Sequence, residues 1–294
     1  MSEILYAVVI STDAVSGNFI EEMLPSIELF PTSYFDSDDD FARMNLYHES
    51  IKDADETLKL VQKSILNWQE FFGLDLSKLE IFTQEIKKED WTESWKSFFH
   101  VIEVSERLVV KPSWEEYDSK EDQVILEIDP GMSFGTGNHG TTRACLEYLD
   151  QMADSSAKSF IDMGCGSGIL SIAASKLGYI DIKAFDYDSD SVKISTENFQ
   201  LSNCPDVEVF EQDLSTYKAP EEYDLVIANI LAPVLIANSD KIVAALRKND
   251  SSRLVLSGIL HEQFADVINA FEKHGLKCID RKKISEWSSG LLSY

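Results

Sequence analysis

The residues with the clearest chemistry in this chain read Ile161-Asp162-Met163-Gly164-Cys165-Gly166-Ser167-Gly168. A short apolar strand, Ser159-Phe160-Ile161, runs into Asp162, then a glycine loop, then the helical Ile169-Leu170-Ser171-Ile172-Ala173-Ala174. Gly164, Gly166 and Gly168 let the chain turn tightly and let a ligand approach the backbone without meeting a Cβ. The helix start behind them offers unpaired N–H groups. The order Asp-x-Gly-x-Gly-x-Gly differs from the dinucleotide fingerprint, whose last glycine is spaced more widely. Asp162 would repel a pyrophosphate, but it suits the ammonium of a methionine-like ligand, directly or through water. Asp186 ends the next strand, where a carboxylate accepts hydrogen bonds from ribose hydroxyls. Asp188 assists it or caps the following helix. Asp213, after the third strand, meets an adenine amino group or caps a turn. An amino acid, a ribose and an adenine together describe S-adenosylmethionine. Cys165 has no evident partner base and reads as a small filler rather than a reactive thiol.

An open sheet is needed to carry these residues. From Leu108 onward strand and helix patterns alternate, which predicts a parallel sheet covered by helices. Strands are expected at Phe160–Asp162, Ile182–Asp186, Val207–Phe210, Leu225–Asn229 and Leu254–Ser257. Leu276–Arg281 and Leu291–Tyr294 close the sheet as an antiparallel hairpin. This is a doubly wound, Rossmann-like α/β architecture, whose ligands sit at the carboxyl ends of the strands. Ahead of it, Leu5–Ile10 reads as a strand and Ala14–Met23 as a helix ending near Pro25. Glu28–Tyr34 and Arg43–His48 read as strands joined by an acidic tip at Asp36-Ser37-Asp38-Asp39-Asp40. Ala54–Phe72 has helical spacing, with Leu58, Val61, Ile65 and Trp68 on one face. Lys78–Ile86 is a further strand. That order is the pattern of a small ferredoxin-like α+β domain. The expected division is an N-terminal domain over 1–86, a linker over 87–100 opened by Lys87-Lys88-Glu89-Asp90, and the larger domain over 101–294.

The 294 residues are 44% hydrophobic, enough for ordinary cores. No apolar run approaches the ~20 residues needed to span a bilayer. The first residues lack the basic region of a secretory signal. Cys145, Cys165, Cys204 and Cys278 form no close pair, which argues against a zinc site or a disulfide framework and for a reducing cytoplasm. The formal net charge of −26 repels phosphate backbones, which argues against nucleic acid as a direct partner and for a basic one. The competing reading is that the charge serves only solubility, and net charge alone does not separate the two. A monomer is expected.

A second segment is more specific. Asp129-Pro130-Gly131-Met132-Ser133-Phe134-Gly135-Thr136-Gly137-Asn138-His139-Gly140-Thr141-Thr142 resembles the signature loop of the bacterial ribosomal protein L-eleven methyltransferases. The glycine loop, Ala228-Asn229-Ile230-Leu231, Leu256-Ser257-Gly258-Ile259-Leu260 and the stretch from Asp90-Trp91 to Trp95-Lys96 fit the same family. The resemblance implies a class I methyltransferase domain joined to a small substrate-recognition domain. It implies methylation of lysine side chains, and in some members the N-terminal amine, of one large-subunit ribosomal protein. The family's cofactor contacts carry over to Thr142, Gly164, Asp186 and Asn229. The chain departs from the family at Asn138, usually Thr, and at Gly140, often Pro. Residues 1–86 carry no family motif. Relatives that methylate glutamine, asparagine or adenine carry Asn-Pro-Pro-Tyr where this chain has Ala228 to Leu231, which argues against those acceptors.

A lysine acceptor must lose its proton first. With an ordinary pKa of ~10.4, roughly one lysine in a thousand is neutral near pH 7.4, a cost of about 4 kcal/mol. A desolvated, aromatic-walled pocket lowers that barrier and attracts partly methylated ammonium groups. Trp91, Trp95, Phe98, Phe99, Trp114 and Phe134 are available, although Trp91 and Phe98 suit interdomain core. Asn229 would position the acceptor nitrogen or the cofactor's methionine part. His139 either accepts the proton or fixes its loop. Gly131, Gly135, Gly137 and Gly140 suit a loop that folds over the site. Three competing readings use the same residues: methylation of another protein or a small amine, a nicotinamide-dependent oxidoreductase, and a non-catalytic cofactor-binding module.

Overall fold

Residues 4–27, 29, 31–36, 41–72, 76–87, 100–128, 140–153 and 159–294 are described in a computed structural model. Contacts divide the chain into two units, Met1–Phe98 and Phe99–Tyr294.

In the first unit the described elements are β1 (Ile4–Thr12), α1 (Ala14–Met23), β2 (Thr32–Asp36), β3 (Phe41–His48), α2 (Ile51–Phe72) and β4 (Glu80–Lys87). The four strands form one sheet in the order β2-β3-β1-β4, with every neighbour antiparallel. Asp13 caps α1 by accepting the Ser16 N–H at 2.9 Å. The face of α2 carrying Val61, Ile65 and Trp68 is buried against Val8, Ile10 and Met44, with Leu58 packed at its margin. The strand expected from Glu28 instead begins at Thr32. The chain leaves α1 through a 3-10 turn at Leu24–Ile27, and Ile27 and Leu29 pack onto the core beside it. Apolar residues at alternate positions serve that packing as well as they serve a strand. Residues 37–40 of the acidic tip and 88–99 of the expected linker lie outside the described residues.

The second unit opens with β5 (Ile102–Glu103), β6 (Leu108–Lys111) and β7 (Val124–Glu127), a three-stranded sheet. There follow α3 (Gly140–Met152), β8 (Ser159–Met163), α4 (Ile169–Lys176), β9 (Asp181–Asp186), α5 (Ser189–Leu201), β10 (Val207–Glu211) and β11 (Leu225–Asn229). Last come α6 (Ala232–Ala237), α7 (Ser239–Ala244), β12 (Arg253–Leu260), α8 (Phe264–Glu272), β13 (Lys277–Ile284) and β14 (Trp287–Ser293). Seven strands form the main sheet in the order β10-β9-β8-β11-β12-β14-β13. The first five are parallel, and β14 runs antiparallel to both of its neighbours. Strand order reverses between β8 and β11, and the crevice at such a reversal is where doubly wound sheets hold ligands.

The central strands are buried on both faces. Phe160 packs with Leu146, Ile172 and Leu126 on one side, while Ile161 and Met163 pack with Val226, Leu254 and Phe271 on the other. A polar clamp fixes β8 against β11. Ser159 N and Oγ both donate to Asp224 Oδ2 at 3.1 Å, and Asp224 N donates to Ser159 Oγ at 2.9 Å. Arg247 pairs with the other oxygen of Asp224. Among the described residues no helix is long and apolar enough to cross a membrane.

Candidate cofactor site

The glycine loop follows β8 directly. Gly164, Gly166 and Gly168 have φ of 83°, 52° and 80°, a region that side-chain-bearing residues rarely adopt. Gly164 N and Cys165 N both donate to the Phe185 carbonyl, at 2.8 and 3.0 Å, which fastens the loop to the end of β9. A Cβ on Gly164 would lie 2.5 Å from Ile230 Cγ2, and one on Gly168 would lie 2.6 Å from the Phe199 ring. Gly164 and Gly168 are therefore required twice, by the backbone and by the neighbours packed against it.

Asp186 is buried at the end of β9. Its Oδ2 accepts the Gly166 N–H at 3.0 Å and its Oδ1 accepts the Asp188 N–H at 3.1 Å. Each oxygen keeps a lone pair for a ligand hydroxyl. Asp188 caps α5 by accepting the Asp190 N–H, also at 3.1 Å. Asp213 is exposed and closes a turn by accepting the Ser215 N–H at 2.7 Å, and bonding to Ser215 holds its carboxyl below the usual range. Cys165 is buried with Sγ 3.9 Å from Ser195 Oγ, and burial pushes its thiol far up, out of the reactive range.

Asp162 has no solvent exposure. Ser171 Oγ donates to its Oδ2 at 3.1 Å, while Oδ1 has no hydrogen-bond partner among the described residues. Burial pushes the carboxyl up to about 7; the Ser171 bond opposes that rise and the charge of Asp186 adds to it. Other buried atoms are unpartnered in the same sense, among them Thr142 Oγ1 in the first turn of α3 and Asn229 Oδ1 at the end of β11. An unsatisfied buried polar group costs about 1–3 kcal/mol, so such atoms call for an explanation. All three are acceptors, and they belong to the elements that border the β8/β11 crevice. A ligand bearing an ammonium and hydroxyls supplies the matching donors, so the donor–acceptor chemistry fits an amino acid joined to a nucleoside.

Two residues outside the expected set hold this arrangement. Ser257, paired with Asn229 across β11 and β12, donates its Oγ to the Thr141 carbonyl at 3.2 Å and shares a 2.7 Å bond with Ser289 Oγ. It ties the start of α3 to the sheet. Gly258 lies where β12 shifts register against β14, with φ of 78°. A Cβ there would fall 2.5 Å from the Ile230 carbonyl oxygen, so the bulge makes room for the chain after Asn229. A glycine inside a strand pattern is the signal that marks such a place. Ser171 was likewise missed, because its role depends on Asp162 facing the helix. His139, Phe134, Trp91, Trp95, Phe98 and Phe99 lie outside the described residues, with the rest of the loop from Asp129. Trp114 is half-buried between β6 and β7.

Comparison with known proteins adds a family to this geometry. Residues 3–292 match the family model described as ribosomal protein L11 methyltransferase (PrmA). The chain is 34% identical to the ribosomal protein L11 methyltransferase of Ruminiclostridium cellulolyticum, over 96% of each chain. It is 38% identical to the protein of that name from Caldanaerobacter subterraneus subsp. tengcongensis, over 75% of this chain and 70% of the relative. The crystal structure of a ribosomal protein L11 methylase from Lactobacillus delbrueckii subsp. bulgaricus is similar with a TM-score of 0.60 and 30% identity, covering 66% of this chain and 98% of that one.

Proposed function

Because the chain belongs to the ribosomal protein L11 methyltransferase family, and so is an S-adenosylmethionine-dependent methyltransferase, we propose that it methylates lysine amines, and the N-terminal amine where accessible, of ribosomal protein L11. The observation that carries the cofactor side is that three buried acceptors on the elements bordering the glycine-loop crevice, Thr142 Oγ1, Asp162 Oδ1 and Asn229 Oδ1, have no partner among the described residues. When bound, the cofactor supplies an electrophilic methyl on a sulfonium.

Thr142, Asp162 and Asn229 hold the methionine part, Asp186 the ribose and Asp213 the adenine, while Gly164, Gly166 and Gly168 let the ligand approach the backbone. What supports Asn229 in a second role, aligning the acceptor nitrogen, is its half-buried place at the end of β11 with Oδ1 unpartnered. The Phe134 ring suits an acceptor pocket that excludes water, which favours the neutral amine. His139 takes the proton that amine loses, or fixes its loop while solvent takes it. The N-terminal unit selects the protein substrate. A net charge of −26 attracts a basic ribosomal protein and repels free nucleic acid, in keeping with a monomer that works in the cytoplasm beside ribosomes.

The test is incubation with tritiated S-adenosylmethionine and a lysate containing ribosomes, with labelled bands identified by mass spectrometry. Label on L11 is expected. Label confined to a non-ribosomal protein overturns the substrate and leaves the transferase chemistry intact.

A further inference from the structure

Asp162 sits in the strand that feeds the glycine loop, with no solvent exposure and, among the described residues, one side-chain hydrogen bond, from Ser171. The charged and titratable groups that act on it are few. From the end of β9 it faces Asp186, a second carboxylate. From α3 it faces the Cys145 thiol, and from the loop the Cys165 thiol. Burial pushes Cys145 up to about 12 and Cys165 further still, so both thiols are neutral and neither contributes charge. Among the described residues no lysine, arginine or histidine acts on Asp162. A carboxylate buried without a cation and close to another carboxylate is held in its neutral form.

The cofactor carries an ammonium into this crevice. We infer that Asp162 is protonated in the ligand-free enzyme and gives up its proton to solvent as the cofactor binds, so that binding is linked to proton release. This rests on the cofactor assignment above and goes beyond it. The incoming cation replaces the proton as the charge that Oδ1 answers. Binding in this way keeps a buried site neutral instead of adding a charge to it.

The magnitude follows from the free carboxyl at about 7 and from the ~1–3 pH units by which a close cation lowers a carboxyl. About 0.4 to 0.9 proton is released per ligand at pH 6, and affinity falls about three- to fivefold from pH 7 to pH 6. The sign is fixed: the free enzyme holds the extra proton, so acid competes with the ligand.

The experiment is calorimetry with S-adenosylhomocysteine on the full chain, at pH 6 and pH 7, in buffers of different ionisation enthalpy. That ligand keeps the ammonium, which stays mostly protonated over this range. Wild type is expected to release the proton fraction above, and Asp162→Asn to release none through this site. Infrared difference spectra of the wild type provide a second measurement that needs no variant: a protonated-carboxyl band should disappear on binding. Binding without proton release, equal release by Asp162→Asn, or a band that persists overturns the inference and leaves the cofactor assignment standing. Failure to bind at either pH overturns both.

Discussion

Gly258→Ala tests the link between the β12 bulge and the cofactor crevice. Two effects add. An alanine held at φ of 78° pays roughly 1–2 kcal/mol for the left-handed backbone. Its Cβ would also stand 2.5 Å from the Ile230 oxygen, 2.9 Å from its carbonyl carbon and 3.1 Å from its nitrogen. These are backbone atoms and cannot swing aside as a flexible side chain does. Relief requires the Ile230 backbone to retreat by somewhat under ~1 Å, and such overpacking typically costs ~1–3 kcal/mol. The total is about 2–5 kcal/mol, or a melting temperature lower by roughly 5–15 °C for a unit of this size. Gly275→Ala is the matched control. Its φ is 88° and nothing lies within 4 Å of the added Cβ, so only the backbone term applies. The retreat of Ile230 also drags Asn229, and loss of one hydrogen bond to the ligand weakens binding by about 2- to 10-fold. Thermal unfolding and calorimetry with S-adenosylhomocysteine read both quantities. Equal destabilisation by the two variants, or unchanged ligand affinity in Gly258→Ala, would refute the reasoning.

Thr142→Val removes a hydroxyl that has no protein partner among the described residues. Thermal stability should therefore hold within about 0.5 kcal/mol while calorimetric affinity falls about 2- to 10-fold; a large loss of stability would make the hydroxyl structural. Asp186→Ala strips Gly166 N and Asp188 N of their acceptor and deletes the ribose contact. Affinity should drop by an order of magnitude or more, and unchanged affinity by calorimetry would remove Asp186 from the site. For ligand-free protein, Asp162→Asn should stabilise relative to wild type, and by more as pH rises. The folded carboxyl stands at about 7 against an ordinary 3.8, so the folded state keeps a proton that the unfolded state has lost, and stability falls as pH rises between those values. Melting curves at pH 5 and pH 8 measure it, and a pH-independent difference would count against the buried, neutral carboxyl.

Local features of the site were legible. Asp162 to Gly168 announces a strand, a turn and a helix within a few residues, Asn229 closes a continuous apolar run, and Asp186 ends a mostly apolar one broken at Lys183. Residues whose work depends on a partner strand were not. Ser257 looks like an ordinary strand serine until β12 lies beside β11 and α3 crosses above it. The two- and four-residue strands of β5, β6 and β7 are too short to show a period, although Leu108, Val110 and Leu126 help build the core. β2 starts later than expected because alternation alone cannot separate a strand from a 3-10 turn that packs Ile27 against the core. Asp213 shows the other limit: its turn-capping bond is local chemistry that a ligand contact would have to share.

The clamp between Ser159 and Asp224 joins residues 65 positions apart. β8 meets β9 after one short crossover, but it must wait through two further strands and their helices for β11. Half the walls of the crevice are thus synthesised long before the other half. A growing chain that has made the glycine loop has a docking turn but no cleft, and the cleft closes only when β11 slides in next to β8. Ligand binding is accordingly a report on the longest-range pairing in the sheet. The pairing that this long loop closure must form is the one that a bound cofactor locks behind it.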